Sequence, residues 1–496
     1  MRLLTLTLLL CALSGWWSPS LAASPSSPSY VIVIDAGSTG SRIHVHEYSW
    51  AAGDELPNIA PSVNEKIKPG LSDYATHPAD ATAPVQKLLE WARSVVPADR
   101  RAETPIHLQA TAGLRSITER QAADVLSVVR DTLRASEFLF EDGWALIISG
   151  EQEGINGWLA TNYLLGAFDP STAAEAHGVV EMGGASMQIT FALANPAPAD
   201  KSRLAQLTIG GTPYFLYTHS YLSYGLQAAQ KLYQQLVIDE IEESGNPCYP
   251  HGYKFTSSGD FDKCAALMDK VVAKSAKCEY DFCGLSGVYQ PRIHTEPFLA
   301  IENFFYTSKF FQGGADAGTE GEVTRGNLLV PMLKQKGREY CDDEWDKIKA
   351  DHATALDEKK EDLFSLSYYC FAAAYEAAVL EKGFGFTESS NIRPARTVNK
   401  KSIDWELGAA LVEVTKTRGV HLIRNPEVNQ WQPDWAAGVC RTAFCRFSVL
   451  AALLLAAVGA YLCLSRLRRS PVNRGYSMLA AADRNNGGLS GLFNKV

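Results

Sequence analysis

The sequence is poor in the features that mark several common classes of protein. Its 496 residues contain 46 Lys or Arg against 55 Asp or Glu, which gives a net charge of −9. This balance argues against a nucleic-acid-binding protein, because contacts to many phosphates need clustered cations. No Asn-x-Ser/Thr sequence occurs, so N-glycosylation is not predicted. Because the chain carries a net negative charge, any phosphate ligand should be small and accompanied by a metal ion that offsets its charge.

Zinc-binding spacing is also missing, although the chain has ten cysteines. No close pair of cysteines is repeated with histidines at ligand spacing. An even number of cysteines in a secreted region predicts disulfides, but spacing alone does not assign the pairs. Eight cysteines lie between the apolar segments at the two ends of the chain: Cys248, Cys264, Cys278, Cys283, Cys341, Cys370, Cys440 and Cys445.

The N-terminal segment has the pattern of a secretory signal peptide. Residues 1–23 contain Arg2, an apolar run over residues 3–13 and small residues near position 22. The run is short for a membrane span, so a cleaved signal is predicted, with an uncleaved signal anchor as the alternative. Residues 24–29 then form a polar linker.

The C-terminal segment predicts a transmembrane helix. Residues 447–465 are nineteen uncharged residues, followed by Arg466, Arg468 and Arg469. The heavier basic flank predicts a single-pass type I membrane protein with residues 466–496 in the cytoplasm. The main part of the chain would then be lumenal or extracellular, in the Golgi, the endoplasmic reticulum or at the plasma membrane. A buried core helix is the alternative.

Between these ends, strands alternate with helices, which is typical of an α/β fold. The periodicity predicts helices over 84–96 and 119–135 and strands over 105–110 and 144–149. A break at 150–154 follows the last strand, and a helix is expected over 155–165. Further helices are expected over 363–380, where it is buried, and over 402–413. A chain of this length exceeds one ordinary core, so two lobes are expected.

The segment Val31–Tyr48, VIVIDAGSTGSRIHVHEY, predicts a strand, a tight loop and a second strand. Gly37 and Gly40 allow positive φ angles that turn successive N–H groups into one concavity, where neighbouring hydroxyl groups add donors. Such a loop suits a phosphate, and Asp35 at the strand end is placed to hold a hydrated cation. An ordinary Gly-rich hairpin is the alternative for this segment taken alone.

Residues 178–191, GVVEMGGASMQITF, repeat this arrangement with Glu181 in the place of Asp35. The turn again contains glycines and a hydroxyl group, from Gly183 to Ser186. An internal repeat at this spacing indicates duplicated domains. Two such hairpins that face each other across a cleft would hold a di- or triphosphate from both sides.

Five segments together resemble the conserved regions of the apyrase family, the nucleoside triphosphate diphosphohydrolases. They are, in order, VIVIDAGSTGSR, ATAGLR, ISGEQEGINGW, VVEMGGASMQITF and DWELGAAL, and they extend over residues 30–413. The resemblance implies an α/β fold of two ribonuclease-H-like lobes, shared with actin, hexokinase and the heat-shock ATPases, with the active site between them. Residues 30–165, completed by 400–435, would form the N-terminal lobe, and residues 166–399 the C-terminal lobe with the disulfides.

The same resemblance implies the reaction and its participants. Nucleoside tri- and diphosphates such as ATP, ADP, UDP and GDP would be hydrolysed with Ca²⁺ or Mg²⁺. The DAGSTGSR form is closer to plant-type apyrases and to Golgi or endoplasmic nucleoside diphosphatases than to vertebrate cell-surface enzymes. The sequence predicts no oligomeric state.

Carried over residue by residue, the resemblance implies a catalytic set and two binding sets. Glu153 would be the general base that activates water, with Glu151 as the fallback, and Ser186 and Gln188 would position that water. The hydrated metal would be held by Asp35, Thr111 and Glu181. The phosphate and nucleotide contacts are assigned to Ser38, Thr39, Gly40, Arg115, Gly183, Gly184, Ala185, Ser186 and Tyr306. Of these, Tyr306 lies in the aromatic-rich segment 302–311, where a core role is the alternative to stacking on a base.

One residue departs from the family pattern. The family usually has Asp where this chain has Glu181, and the extra methylene carries the carboxylate about 1.5 Å further into the cleft. A nucleotide-binding receptor with weak or no turnover is therefore a second interpretation. A kinase of the same fold is a third, but the Gln152-Glu153-Gly154 segment favours water as the acceptor.

Overall fold

The computed structural model describes residues 28–51, 53–169, 175–194, 203–236, 245–254, 257–272, 277–293, 296–312, 328–357 and 363–423. The predicted signal peptide, the predicted span at 447–465, the tail, Cys440 and Cys445 lie outside these ranges. Within them, none of the helices combines the length and the apolar character needed to cross a bilayer. Membrane anchoring therefore stays a prediction.

The first sheet is built around the first hairpin. Its strands are β1 (Ser29–Ala36), β2 (Ser41–Ser49), β3 (Asn58–Ile59), β4 (Val63–Ile67), β5 (Ile106–Ala110) and β6 (Ala145–Ile147). The order is β3-β2-β1-β5-β6, with β4 also paired to β2. β1 and β2 are antiparallel, whereas β5 runs parallel to β1. The predicted hairpin is confirmed.

The second sheet repeats this arrangement around the second hairpin. Its strands are β7 (Gly178–Met182), β8 (Ser186–Ala192), β9 (Leu204–Ile209), β10 (Thr212–Leu222), β11 (Phe298–Glu302) and β12 (Ile392–Pro394), in the order β12-β11-β7-β8-β10-β9. β7 and β8 are antiparallel, and β11 runs parallel to β7. The internal repeat therefore extends from the sequence pattern to the strand order. Two short strands, β13 (Thr397–Val398) and β14 (Lys401–Ser402), form a separate hairpin.

Twelve α-helices occur in the described ranges. They are α1 (Thr82–Val95), α2 (Ala112–Arg115), α3 (Glu119–Arg134), α4 (Gly150–Leu165), α5 (Leu226–Leu236), α6 (Phe261–Val272), α7 (Asn303–Phe311), α8 (Leu329–Cys341), α9 (Trp345–Asp351), α10 (Ala353–Asp357), α11 (Leu363–Ala378) and α12 (Trp405–Lys416). A π-helical turn, Val379–Gly383, follows α11.

Helices α4 and α12 lie between the two sheets. Their apolar residues share one core with Val31 and Val33 of β1 and with Val179 of β7. The alternate residues of β1, Ile32 and Ile34, face a second core with α1 and α3. Burial on both faces explains why β1 reads as a continuous apolar run. Helix α4, which follows β6, therefore packs against both hairpins.

The predicted break at residues 150–154 is wrong, because these residues form the first turn of α4. Ser149 caps this turn: its Oγ accepts a hydrogen bond from the Gln152 backbone N–H at 3.0 Å. Acidic residues are favoured in a first turn, where they face the positive end of the helix dipole. Glu153 consequently lies on a buried helix and not on a loop. The last helix begins at Trp405, three residues after the predicted start.

Six of the eight cysteines pair within the described ranges. The disulfides are Cys248–Cys264, Cys278–Cys283 and Cys341–Cys370. Cys248–Cys264 joins α6 to the segment before it, and Cys341–Cys370 joins α8 to α11. The prediction of disulfides is confirmed for these six residues.

Candidate active site

The loops of the two hairpins face a common cleft. Ser38 of the first loop (residues 37–40) places its Oγ 3.4 Å from the position that a Cβ atom would take on Gly184 of the second loop (residues 183–185). The cleft is lined by Asp35, Gly37, Ser38, Thr39, Gly40, Arg42, Lys66, Thr111, Ala112, Glu153, Glu181, Gly183, Gly184, Ala185, Ser186, Glu302, Trp405 and Glu406. This set contains every residue predicted for the two loops and for the metal, together with Glu153.

The glycines of the first loop allow close packing. The predicted reason was wrong, because neither Gly37 nor Gly40 has a positive φ angle. A Cβ atom on Gly40 would instead lie 2.5 Å from the Ile67 carbonyl oxygen. On the other side, Cβ atoms on Gly70 and Gly113 would lie 2.7 Å and 3.0 Å from backbone atoms of Ser38. The loop is thus enclosed by backbone, which fixes the direction of its N–H groups.

The second loop is fixed by hydrogen bonds. The Gly183 N–H donates to the Ser186 carbonyl at 3.0 Å, which closes the turn. The Gly183 and Gly184 carbonyls accept N–H groups from Leu226 and Gln227 at the start of α5, at 3.0 Å and 3.1 Å. A loop anchored at both of these places keeps its shape when a ligand binds, so its N–H groups are preorganised for an anion.

Glu153 is the centre of a buried hydrogen-bond network. Its Oε2 atom accepts a hydrogen bond from Arg115 at 2.5 Å and one from the Gln188 side-chain amide at 3.3 Å. That amide also donates to Ser186 Oγ and to Ser220 Oγ, each at 3.0 Å. The three residues predicted to activate and position water are therefore in direct contact. Arg115 lies behind the cleft lining and contacts the carboxylate of Glu153.

Two opposing influences act on the pKa of Glu153. Burial raises this pKa, the charge of Arg115 lowers it, and the net result is a raised value. A buried carboxylate with a raised pKa accepts a proton more readily than an exposed one, which suits a general base.

Glu151, the fallback base, is engaged elsewhere. Its Oε1 atom lies 3.1 Å from Nδ1 of His219 and 3.9 Å from Arg203. Burial raises its pKa, but the hydrogen bond and charge of His219 outweigh burial and lower it to about 2. A carboxylate with so low a pKa is a weak proton acceptor, so the geometry favours Glu153.

Asp35 and Glu181 occupy equivalent places near the ends of β1 and β7. In each, one carboxylate oxygen is buried and has no hydrogen-bond partner among the residues that the structure describes. Burial and then neighbouring carboxylates, Glu406 for Asp35 and Glu153 for Glu181, raise both pKa values well above the ordinary range. A divalent cation would relieve this repulsion.

The donor set fits a cation that keeps its water shell. In the described ranges, no three His, Cys, Asp or Glu side chains are arranged to bind one metal ion directly. Asp35, Glu181 and the Thr111 hydroxyl group nevertheless line the same cleft. Hydrated Mg²⁺ or Ca²⁺ bound through a few oxygen ligands and waters would match these residues.

The longer side chain of Glu181 reaches α4. Its Oε2 atom lies 3.1 Å from the position that a Cβ atom would take on Gly157. Any larger residue at position 157 would press on this carboxylate. The extra methylene is predicted to extend into the cleft. Gly157 on α4 leaves room for the longer side chain.

Glu302 was missed by the sequence analysis. It ends β11, the strand beside β7, and its backbone has φ 59° and ψ −120°, a conformation that non-glycine residues rarely adopt. Burial, followed by the charge of Asp404, raises its pKa to about 7. A signal was available, because Glu302 follows the apolar run FLAI as Asp35 follows VIVI.

Glu406 was also missed. It lies in the first turn of α12 and forms a buried ion pair with Nε2 of His44 at 3.2 Å. His44 Nδ1 is in turn 3.1 Å from Ser62 Oγ. Burial raises the pKa of Glu406, but His44 outweighs this influence and the net pKa is lowered. Helix α12 thus supplies the cleft with a carboxylate that stays ionised.

Tyr306, the predicted base contact, lies on α7 outside the cleft lining. Its side chain is 41% exposed, which leaves ring surface for a ligand. The Arg396 guanidinium lies 5.8 Å from the ring centroid. Burial, followed by the charge of Glu302, raises the pKa of Tyr306. Because Glu302 is the N-cap of α7 and Tyr306 lies four residues further along, the ring is on the Glu302 side of the cleft.

Comparison with known proteins relates this chain to nucleoside phosphatases. Over residues 21–425 the chain matches the GDA1/CD39 (nucleoside phosphatase) family. It is 34% identical to "Probable apyrase 5" of Arabidopsis thaliana over 78% of this chain and 82% of that protein. It is 31% identical to the "Nucleoside-triphosphatase" of Pisum sativum over 78% of this chain and 88% of that protein.

A solved structure shares the fold. The crystal structure of nucleoside triphosphate hydrolases from Neospora caninum superposes with a TM-score of 0.60 and 16% identity, over 79% of this chain and 93% of that one. At this identity the similarity concerns the fold alone. It confirms the expected α/β architecture with two sheets.

Proposed function

Because the chain belongs to the GDA1/CD39 (nucleoside phosphatase) family, we propose that it removes the terminal phosphate from nucleoside tri- and diphosphates. The observation that carries this proposal is the buried contact between Glu153, Gln188 and Ser186 at the edge of a cleft formed by two facing loops. The substrates would include ATP, ADP, UDP and GDP, and the final product would be a nucleoside monophosphate.

In the proposed mechanism, a water molecule attacks the terminal phosphorus. Glu153 takes the proton of this water, and Ser186 and Gln188 hold the water in line with the bond that breaks. The backbone N–H groups of the two loops, with the hydroxyl groups of Ser38 and Thr39, bind the phosphate oxygens. No covalent intermediate is required.

A divalent cation, Ca²⁺ or Mg²⁺, would be held near Asp35, Thr111 and Glu181, largely through water. When bound, it would neutralise phosphate charge and polarise the terminal phosphoryl group. The buried, unpaired oxygens of Asp35 and Glu181 support this placement. Tyr306 would stack on the base, in a position where Arg396 already lies over the ring.

We further propose that the hydrolase is a single-pass membrane protein with a lumenal or extracellular catalytic part. The uncharged segment 447–465 and the apolar segment near the N-terminus support this topology. The three disulfides support an oxidising compartment. Residues 30–165 with 400–435 would form one lobe and residues 166–399 the other.

A second candidate is a nucleotide-binding receptor with little turnover. The position of the Glu181 carboxylate supports it, because its Oε2 atom extends to within 3.1 Å of the place that a Cβ atom would take on Gly157 of α4. The two candidates separate in one assay: phosphate release by the purified full-length protein from ATP, ADP, UDP and GDP, with Ca²⁺, with Mg²⁺ and with EDTA. Cation-dependent release supports the hydrolase. Binding without release supports the receptor.

A further inference from the structure

Three charged residues lie in a row across the first sheet. Asp35 of β1 is directly opposite Arg42 of β2, and Arg42 is directly opposite Lys66 of β4. Opposite residues on antiparallel strands point to the same face of a sheet. All three line the cleft. This side of the cleft therefore carries a carboxylate followed by two cations.

The two cations lie directly opposite each other near several carboxylates. Burial lowers the pKa of Arg42, but these carboxylates, Glu406 foremost, raise it on balance. Like charges placed directly opposite each other destabilise a sheet. Among the residues that the structure describes, neither Arg42 nor Lys66 has an ion-pair partner within 4.0 Å. The Lys66 Cε atom lies 3.2 Å from the position of a Cβ atom on Gly40, so the side chain lies beside the first loop. An anion bound against both side chains would remove the repulsion.

The strand order shows on which side of Asp35 this pair lies. β4, β2, β1 and β5 are successive neighbours in the sheet. β5 leads directly into α2, which ends at Arg115, the partner of Glu153. Arg42 and Lys66 are therefore on the β2 side of Asp35, and the residues that activate water are on the β5 side.

Electrostatic interactions link Arg42 and Glu302 of the cleft with Tyr306, the predicted base contact. The charge of Glu302 acts on Arg42, and the charges of Glu302 and Arg42 both act on Tyr306. Across the first sheet, the order is then the β5 side with Arg115, the partner of Glu153, followed by Asp35 and the Arg42–Lys66 pair. A nucleotide with its terminal phosphate beside Glu153 and its base beside Tyr306 would place its inner phosphate at the pair.

We propose that Arg42 and Lys66 bind the phosphate that leaves with the nucleoside. This is the β-phosphate of a triphosphate or the α-phosphate of a diphosphate, and the assignment rests on the proposed hydrolysis. The water oxygen forms a bond to the terminal phosphorus, and its proton passes to Glu153. The bond from that phosphorus to the bridging oxygen breaks, and the bridging oxygen keeps the electron pair.

The pair stands where negative charge develops. In the transition state the bridging oxygen gains charge as the terminal phosphoryl group departs from it. Cations that are already in position stabilise this charge without reorganisation. Arg42 offers a planar fork of donors to two phosphate oxygens, and Lys66 adds a compact point charge from the rim.

Lys66→Met tests the assignment, because an edge-strand residue is exposed enough to be replaced without harm to the core. Lys68→Met, which removes the same charge two residues away and outside the cleft lining, is the matched control. The measurements on purified full-length protein are kcat/KM for ADP and the inhibition constants of AMP and orthophosphate. We expect Lys66→Met to lower kcat/KM by about 10- to 100-fold and to weaken AMP inhibition by about 10-fold. Inhibition by orthophosphate should change by less than about 2-fold, and Lys66→Arg should restore most of the loss.

Two results would overturn the proposal. Weakened orthophosphate inhibition with unchanged AMP inhibition would place the pair on the transferred phosphate. Unchanged kcat/KM and AMP inhibition in Lys66→Met would show that the pair does not bind substrate, although the wild type hydrolyses nucleotides. If the wild type releases no phosphate, the hydrolase proposal fails instead, and AMP binding by calorimetry to the wild type and to Lys66→Met still decides the role of the pair.

Discussion

The side chain of Arg115 donates a hydrogen bond to the Glu153 carboxylate at 2.5 Å, and both groups are buried. The contact joins α2 to α4 and orients the carboxylate toward Gln188 and Ser186. It also holds the pKa of Glu153 below the value that burial alone would produce. One arginine therefore orients the proposed base and favours its ionised form.

Arg115→Met should shift the pH dependence of catalysis. Without the arginine charge, the pKa of Glu153 rises, so a larger share of the base is protonated at acidic pH. The acidic limb of the kcat/KM profile should move to higher pH, while Arg115→Lys retains part of the charge and moves it less. The exposed Arg134→Met is the control. An acidic limb that stays in place in Arg115→Met would remove Glu153 as its source.

Glu153→Gln should separate binding from turnover. The amide keeps the size of the side chain but cannot take a proton, so kcat should fall by about a hundred- to ten-thousand-fold. Nucleotide affinity, measured by calorimetry, should stay nearly unchanged. Glu151→Gln serves as the comparison and should lose much less activity, because Glu151 is paired with His219. An active Glu153→Gln protein would contradict the assignment of the base.

Gly157→Ala tests the position of Glu181. A Cβ atom 3.1 Å from Oε2 displaces the carboxylate, whereas the helix itself tolerates alanine better than glycine. We expect the cation-dependent rate to fall by roughly 10-fold, but by less than roughly 3-fold when Glu181→Asp is also present. Gly143→Ala, which meets no atom within 4 Å, is the control. Equal losses in both backgrounds would show that the two residues act independently.

Glu302→Gln should change the pH dependence of stability. The folded-state pKa of Glu302, about 7, lies above the ordinary value of 4.5, so between these values the folded protein binds more protons than the unfolded chain. Wild-type stability should therefore fall relative to the variant as pH rises from about 4.5 to 7, and the difference should level off above pH 7. Melting temperatures in EDTA measure this difference, with Glu90→Gln on the exposed face of α1 as the control. A difference that is constant across this range would contradict the raised pKa.

The hairpins could be predicted from the sequence because their signals are local. Asp35 and Glu181 each stand within a few residues of the strand and the turn that define their place. The start of α4 could not be found in this way, since the glycines at 150 and 154 suggest a break. These glycines fit against Ser220 and Thr190, contacts with the second sheet that only the folded structure shows.

The remaining cleft residues depend on pairing between distant parts of the chain. His44 and Glu406 meet because α12 returns to pack beside β2 and β1. Arg42 and Lys66 face each other because of the register of β4 on β2, and β4 has no strong strand pattern of its own. The hydrophobic pattern specifies register only weakly in a strand as exposed as β4, so this pairing could not be derived before the fold was known.

Hydrolysis in H₂¹⁸O tests the central claim most directly. The purified protein is incubated with ADP and a divalent cation, and both products are analysed by mass spectrometry. Attack of water on the terminal phosphorus predicts one ¹⁸O atom in the orthophosphate and none in the AMP. Label in the AMP would place the attack on the inner phosphorus and contradict the proposed mechanism.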